Sequence, residues 1–186
     1  MKRFFLLFPI VFSFSLLFIT CKKDDPEIIN EEELITTLTY TLTPTGGGTT
    51  VSLSFQDLDG DGGNAPIITG GMLAANQTYT GVVTLLNEAA SPAENITEEI
   101  EEEDEDHQFF FQSTLSDVNI EYNDQDANRN PVGLNTTLTT GAAASGTIGI
   151  ILRHEPDKAA AGVSDGNIEN AGGETDIEIT FPIDVQ

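Results

Sequence analysis

The segment of the chain best suited to chemistry is the acidic loop Asp57-Leu58-Asp59-Gly60-Asp61-Gly62. Carboxylates at alternate positions can converge on one hard cation, and glycine permits a sharp turn, as in the first half of a calcium-binding loop. An EF-hand would need Glu at the twelfth position, where this chain has Ile68. The sequence therefore predicts a β-type Ca²⁺ site with the candidate ligands Asp57, Asp59, Asp61 and Asn64. The alternative is a polar hairpin turn whose Asp side chains hydrogen-bond their own backbone.

A second polar stretch offers a weaker metal site. Asp124, Asp126 and Asn128 again place oxygen atoms at alternate positions. Arg129 stands where a calcium loop would have glycine. A polar turn between two strands is therefore the competing interpretation of this stretch.

The sequence contains two histidines, His107 and His154. Imidazole binds haem iron and transition metals, so a two-histidine haem or metal site is one interpretation. The other is a separate structural role for each, because His107 adjoins an acidic run and His154 ends a predicted strand beside Glu155. The acidic run, residues 98–106, indicates a solvated acidic face, with a cation-binding or partner-docking patch as the alternative.

Familiar catalytic signatures are missing from the sequence. It has no G-x-S-x-G, no H-E-x-x-H and no phosphate-binding glycine loop. We therefore predict a protein that is not an enzyme and that has no cofactor besides the candidate Ca²⁺. The catalytic alternative is a glycan hydrolase that uses two of the 31 Asp and Glu side chains as its carboxylate pair.

The first residues have the layout of an export signal. Lys2 and Arg3 precede an apolar stretch, residues 4–20, that ends at Cys21, the one cysteine of the chain. This arrangement resembles a bacterial lipoprotein, which predicts a signal peptide over 1–20, lipidation of Cys21 and attachment to membrane lipid. An N-terminal membrane anchor is the alternative.

The composition of residues 21–32 predicts an acidic tether. Within it, residues 23–25 (Lys-Asp-Asp) resemble a surface-export signal of Bacteroidetes lipoproteins, so we expect an outer-membrane protein exposed at the cell surface, with a periplasm-facing one as the alternative.

The charge balance excludes one class of partner. The chain has 7 Lys and Arg against 31 Asp and Glu, a formal net charge of −24. Nucleic-acid binding depends on Lys and Arg that neutralise phosphates, so we exclude a nucleic-acid partner. A single cysteine also excludes an intrachain disulfide, and the domain must be held together by its core.

The pattern of residues 33–186 predicts a single all-β domain. Its expected fold is an immunoglobulin-like antiparallel β-sandwich of about eight or nine strands, and a closed barrel is the alternative. Apolar and polar residues alternate with a period of two in most segments, as in the last strand, where Ile177 and Ile179 should face inward and Asp176 outward. Pro182 lacks an N–H group and should place that strand at a sheet edge. One short helix is predicted near 92–103, with Ser91 as its N-cap.

Several motifs together resemble a group of small flavobacterial outer-membrane lipoproteins, often labelled a "type 1 periplasmic binding fold" family. The motifs span nearly the whole chain and comprise residues 31–33, 57–62, 65–66, 84–88, 91–94, 107–110, 152–156 and 172–176. The resemblance implies an outer-membrane location and one compact domain, and it supplies no catalytic residues. The label names a two-lobed α/β fold, whereas the period-two pattern of this chain predicts a sandwich.

These observations converge on a non-catalytic, lipid-anchored binding or structural module at the cell surface, with Ca²⁺ as a candidate stabiliser. The sequence leaves a second class open: a ligand-capture lipoprotein that serves an outer-membrane transporter. Such a protein would need an apolar pocket with a few converging polar groups.

Overall fold

Alternating Thr, Val, Ile, Leu and aromatic residues form ten strands in the residues that the computed structural model describes, 33–60 and 62–186. The predicted signal peptide (1–20), the predicted tether with Cys21 (21–32) and Asp61 lie outside the described residues. The strands form two sheets. In spatial order, the first sheet contains β3 (Ile67–Thr69), β2 (Val51–Gln56), β1 (Thr37–Pro44), β5 (Thr78–Leu86), β8 (Asn135–Thr139) and β7 (Asn119–Tyr122). The second contains β4 (Gly71–Leu73), β10 (Glu174–Val185), β9 (Ala144–His154) and β6 (His107–Ser113).

The core lies between the inner faces of the two sheets. The six-stranded sheet contributes large buried side chains such as Tyr40 and Leu85, and the four-stranded sheet contributes others such as Phe109 and Phe181. Each fully buried large apolar side chain contributes about 1.5–3 kcal/mol to folding. This extended core stabilises the sandwich in place of the disulfide that the composition excludes.

The predicted β-sandwich is confirmed, with two differences in its strands. The described residues contain ten strands rather than eight or nine, because β4 is too short and glycine-rich to produce a sequence pattern, and it pairs with β10 in parallel. The edge position predicted for the last strand is wrong for its C-terminal end, since β10 lies between β4 and β9. Pro182 is tolerated because the pairing with β4 begins one residue later, at Ile183.

The predicted short helix is present, but it begins later than its sequence pattern indicated. Helix α1 spans Ile96–Glu102, and Ile96 and Ile100 are buried against the core. Its N-cap is Asn95 rather than Ser91, and the Asn95 side chain makes no capping bond to the backbone. A second anchor holds the helix in place: the Thr97 hydroxyl accepts the N–H of Leu85 on β5 at 2.8 Å.

The outer face of the four-stranded sheet is partly covered by the connection between β9 and β10. Phe110 and Ile151 on that face pack with Val163 and Ala171 from the connection, which contains two short 3-10 turns, Val163–Asp165 and Ile168–Asn170. The start of β6 is therefore buried on both faces. Among the residues described, no helix has the length and apolar character needed to cross a bilayer.

Candidate metal centre

The two histidines lie side by side at one end of the four-stranded sheet. The antiparallel register of β6 and β9 pairs His107, the first residue of β6, with His154, the last residue of β9. Their rings meet edge to face with centroids 4.6 Å apart. Both share the inner face with Phe109 and Leu152, so they continue the core toward the end of the sandwich. The sequence offered a paired arrangement as one interpretation, and the register produces it.

A β-bulge brings Asp176 to the same place. The pairing of β9 and β10 shifts between Thr175 and Ile177, so Asp176 is the extra residue of the bulge. A bulge re-aims a side chain relative to the period of two. The sequence prediction that Asp176 faces outward is therefore wrong: its side chain is fully buried, with Oδ1 3.7 Å from Nδ1 of His154 and Oδ2 3.9 Å from Nε2 of His107.

The fourth member comes from the segment that leads into β1. Glu33 places Oε1 3.1 Å from Nε2 of His107 and Oε2 3.7 Å from Nδ1 of His154. The N–H of Glu155, the residue after His154, donates to the carbonyl oxygen of Asp106, the residue before His107, which fixes the two strand ends together. We call the resulting group the histidine–carboxylate cluster: Glu33, His107, His154 and Asp176.

The cluster is closed to solvent. The exposed fractions of the side chains of Glu33, His107, His154 and Asp176 are 6%, 0%, 7% and 0%. Burial would lower the pKa of His107, but the contact with Glu33 and the carbonyl of Glu103 outweigh it and raise that pKa. Burial would likewise raise the pKa of Glu33, but His107 holds it below its ordinary value. His107 and Glu33 thus favour each other's charged forms when no metal is bound.

One hydrogen bond orients the imidazole of His107. Its Nδ1 lies 3.1 Å from the carbonyl oxygen of Glu103, the C-cap residue directly after α1. A carbonyl oxygen accepts only, so this contact needs a proton on Nδ1. Nε2 then faces the two carboxylates, although it makes no hydrogen bond of good geometry with either of them.

The acidic loop predicted to bind Ca²⁺ is exposed and organised by its own hydrogen bonds. Oδ1 of Asp57 accepts the N–H of Gly60 at 2.9 Å. The carboxylate of Asp59 accepts both the N–H and the side-chain amide of Asn64, at 3.1 and 2.7 Å, and these contacts hold its pKa below the ordinary value. Three of the four candidate ligands are therefore close together, and Ca²⁺ binding by this loop stays a prediction.

The weaker candidate site is used to close loops. The two oxygens of Asp124 accept the N–H groups of Gly133 and Asn135, each at 2.7 Å. Asp126 accepts the N–H of Asn128 at 2.9 Å and also forms an ion pair with Lys158. Both carboxylates thus have structural partners, as the polar-turn interpretation expects, and metal binding at this site stays a prediction.

Sequence reasoning proposed the histidines but not their acidic partners. Glu33 and Asp176 are two of many acids, and their distance from the histidines along the chain hides the contact. One usable indication existed: β9 and β10 are consecutive and antiparallel, so the end of one strand meets the start of the next. That rule places Asp176 near His154, although it does not give the face.

Comparisons with known proteins add little to this description. No protein-family model matches the chain, and no curated protein sequence matches it. Among solved structures, the chain is similar to domains 4 and 5 of the S-layer protein SbsC, with a TM-score of 0.31 and 15% identity over 78% of this chain and 75% of that one. A likeness of this size carries no argument, and the sandwich rests on the strand pairing itself.

Proposed function

We propose that the protein is a non-catalytic β-sandwich module that is anchored to the outer membrane through lipidated Cys21 and acts at the cell surface in binding or structure. One observation carries the non-catalytic part. Among the described residues, the His and carboxylate side chains that gather within ligand distance, the histidine–carboxylate cluster, are at least nine-tenths buried, so a glycan or another bulky substrate has no path to them. A glycosidase needs its two carboxylates in an open cleft.

The anchoring part is supported by the N-terminal sequence. Lys2 and Arg3, the apolar stretch 4–20 and Cys21 follow one another as in a lipoprotein precursor. Cleavage before Cys21 would leave five basic residues and all 31 acidic ones on the remaining 166 residues. A surface of that charge repels anionic lipid, so the acyl chains rather than the protein surface would provide the membrane affinity.

A labelling experiment tests the anchor. Cells that express the full chain are grown with a clickable palmitate analogue, and the purified protein is analysed for label and for its N-terminal residue. Cys21→Ala should abolish the label. Thr20→Ala, a matched change one residue earlier, should retain it. Label on Cys21→Ala, or an intact leader on the wild-type protein, would contradict the proposal.

The surface-exposed orientation is tested separately by adding protease to intact cells. A surface protein is cleaved without disrupting the outer membrane. A periplasm-facing protein is cleaved only after the membrane is permeabilised. The two results distinguish the proposed surface exposure from the periplasm-facing alternative. Neither result bears on the lipidation of Cys21.

Calcium binding by loop 57–64 is part of the same proposal. Asp57, Asp59 and Asn64 lie within one hydrogen-bonded turn, and Ca²⁺ prefers such oxygen ligands. Calorimetry with Ca²⁺ should show one binding event that Asp59→Asn abolishes and Glu178→Gln, an exposed change on β10, preserves. Equal heats for the wild type and Asp59→Asn would remove calcium from the proposal.

A further inference from the structure

We propose that the histidine–carboxylate cluster binds one divalent transition-metal ion of the Zn²⁺ class. The ion would be held by two imidazole nitrogens and two carboxylate oxygens. This inference stands apart from the lipid anchor and from the calcium loop, because it uses none of the same residues as ligands.

The spacing of the ligand atoms fits a small ion. One ligand atom from each of the four residues can be chosen so that all lie within 4.8 Å of one another. The four contacts between a ring nitrogen and a carboxylate oxygen measure 3.1, 3.7, 3.7 and 3.9 Å. A tetrahedral Zn²⁺ with bonds of about 2.0–2.1 Å separates its ligands by about 3.3 Å. The four contacts use both oxygens of each carboxylate, and a set with one atom from each residue extends up to 4.8 Å. The side chains would therefore draw together by up to about 1.5 Å around the ion.

The hydrogen bond at the far side of His107 prepares this ring for a metal. Metal-binding histidines usually donate their other ring N–H to a carbonyl or carboxylate, which fixes the tautomer. In this protein Nδ1 of His107 faces the carbonyl oxygen of Glu103 at 3.1 Å. With the proton on Nδ1, the lone pair of Nε2 points into the cluster, where Nε2 is buried without a hydrogen bond.

A buried oxygen atom of Glu33 is a second indication that the cluster binds a cation. Its Oε2 atom is buried and accepts no hydrogen bond. A buried carboxylate oxygen without a donor is costly, since the group has lost its water without replacement. A cation between Glu33 and His154, whose facing atoms are 3.7 Å apart, would satisfy this oxygen.

The charge of the cluster matches a divalent cation. Two ionised carboxylates and two neutral imidazoles carry a net charge of −2, which is too costly to bury uncompensated. One divalent cation neutralises it. The competing arrangement is a metal-free ion-pair cluster with two protonated imidazoles, whose ring centroids would lie 4.6 Å apart in spite of their like charges. The experiment below distinguishes the two.

The donor atoms decide the class of metal. Ca²⁺ and Mg²⁺ prefer shells of oxygen atoms, whereas imidazole suits Zn²⁺, Cu²⁺, Ni²⁺ and Fe²⁺. Four protein ligands also leave no open position, which is the pattern of a structural rather than a catalytic zinc site. The metal would join Glu33, at the entry to β1 in one sheet, to three residues of the other sheet. It would close this end of the sandwich, which has no disulfide.

The test uses the full chain, extracted in detergent without chelator and analysed for metals by mass spectrometry. We expect close to one equivalent of a transition metal. After stripping with a chelator, Zn²⁺ at 100 times its dissociation constant should raise the melting temperature by about 5–10 °C. Co²⁺ should give the visible spectrum of a tetrahedral site with nitrogen and oxygen ligands.

Variants assign the ligands. His107→Gln and Asp176→Asn should each weaken Zn²⁺ binding by about 100-fold or more. Loss of a residue that only hydrogen-bonds a metal ligand costs about 10–100-fold, so loss of a ligand itself should cost at least as much. Glu178→Gln, an exposed change on the same strand as Asp176, should bind Zn²⁺ like the wild type. Asp59→Asn should do the same, which separates this site from the calcium loop.

Two results would overturn the proposal. The first is folded wild-type protein that binds no Zn²⁺ and gives no tetrahedral Co²⁺ spectrum, as expected for a metal-free ion-pair cluster. The second is unchanged Zn²⁺ affinity in both His107→Gln and Asp176→Asn, as expected for loose binding to the acidic surface. The wild-type measurements need no variant, so the test holds even if a variant does not fold.

Discussion

The buried ion pair of Lys158 and Asp126 gives a prediction whose size follows from the contacts. The ammonium group of Lys158 has three N–H donors. They meet Oδ2 of Asp126 at 3.1 Å, the carbonyl oxygen of Pro131 at 3.2 Å and the carbonyl oxygen of Asp104. Both side chains are nearly closed to solvent, with exposed fractions of 5% for Lys158 and 1% for Asp126.

The two ends of this pair are not equivalent. Asp126→Asn leaves a buried ammonium without a counter-ion, and such a loss costs about 3–5 kcal/mol. Lys158→Met leaves a carboxylate that still accepts the N–H groups of Asn128 and Asn130, at 2.9 and 2.8 Å. These donors stabilise the charged carboxylate, so we expect a smaller loss of about 1–3 kcal/mol.

A double-mutant cycle measures the difference. Removing Lys158 when Asp126 is already Asn takes away an unpaired charge, so the double variant should lose no more than Asp126→Asn alone. That result corresponds to a coupling energy of about 2 kcal/mol. Thermal unfolding should show Asp126→Asn melting about 6–20 °C below the wild type. Molar NaCl should leave the coupling nearly unchanged, because a buried pair is poorly screened.

The acid side of the stability curve gives an independent check. Burial would raise the pKa of Asp126, but the N–H of Asn130 and the charge of Lys158 hold it below its ordinary value. The stabilisation is therefore fully present above the unfolded pKa of about 3.9, and it is lost as the pH falls through the lower folded pKa. The gap between the wild type and Asp126→Asn should narrow below about pH 4. The reasoning would be refuted if the losses in unfolding free energy of the two single variants added up to the loss of the double variant. A larger loss for Lys158→Met than for Asp126→Asn would refute it as well.

Two further predictions concern backbone geometry and tyrosine ionisation. Gly172 and Gly173 have φ values of +61° and +67°, but a Cβ on Gly173 would lie 2.1 Å from the carbonyl oxygen of His154, whereas one on Gly172 meets nothing within 4 Å. Gly172→Ala should cost about 1–2 kcal/mol from strain and Gly173→Ala clearly more, as measured by chemical denaturation; equal losses would count against the clash. Burial raises the pKa values of Tyr40 and Tyr122 to about 12 each. Stability should therefore fall as the pH rises from about 10 to about 12, and the near-ultraviolet absorbance change of both rings should be delayed toward about pH 12. Ionisation of Tyr40 and Tyr122 at about pH 10 in the folded protein would contradict this.

The sandwich itself was predictable because its strands follow one simple rule. In β10, for example, Ile179, Phe181 and Ile183 are buried and the residues between them are exposed, as the alternation requires. Exceptions arise where local chemistry outweighs the pattern. The short β4 has three residues and no pattern of its own. Helix α1 begins four residues later than predicted, because Ser91 fits the sequence pattern of an N-cap but Asn95 is the N-cap in the structure.

The histidine–carboxylate cluster required information that a linear pattern does not contain. His107 and His154 meet through the register of β6 and β9, and register depends on every side chain of both strands. Glu33 reaches them from the segment ahead of the other sheet. Neither contact has a sequence spacing by which it could be recognised.

Asp176 shows most sharply where the sequence rule fails. In a strand with a strict period of two, Asp176 would point to the face opposite the buried Ile177, and its carboxylate would lie in solvent. The bulge after Thr175 adds one residue against β9 and turns the same carboxylate into the core beside His154. Burying a charge in this way costs free energy unless a partner of opposite charge is present. The bulge is therefore best understood as a device that supplies this acid to a cation, whether two imidazolium rings or the proposed metal ion. Zn²⁺ binding by the wild-type chain decides between those two cations.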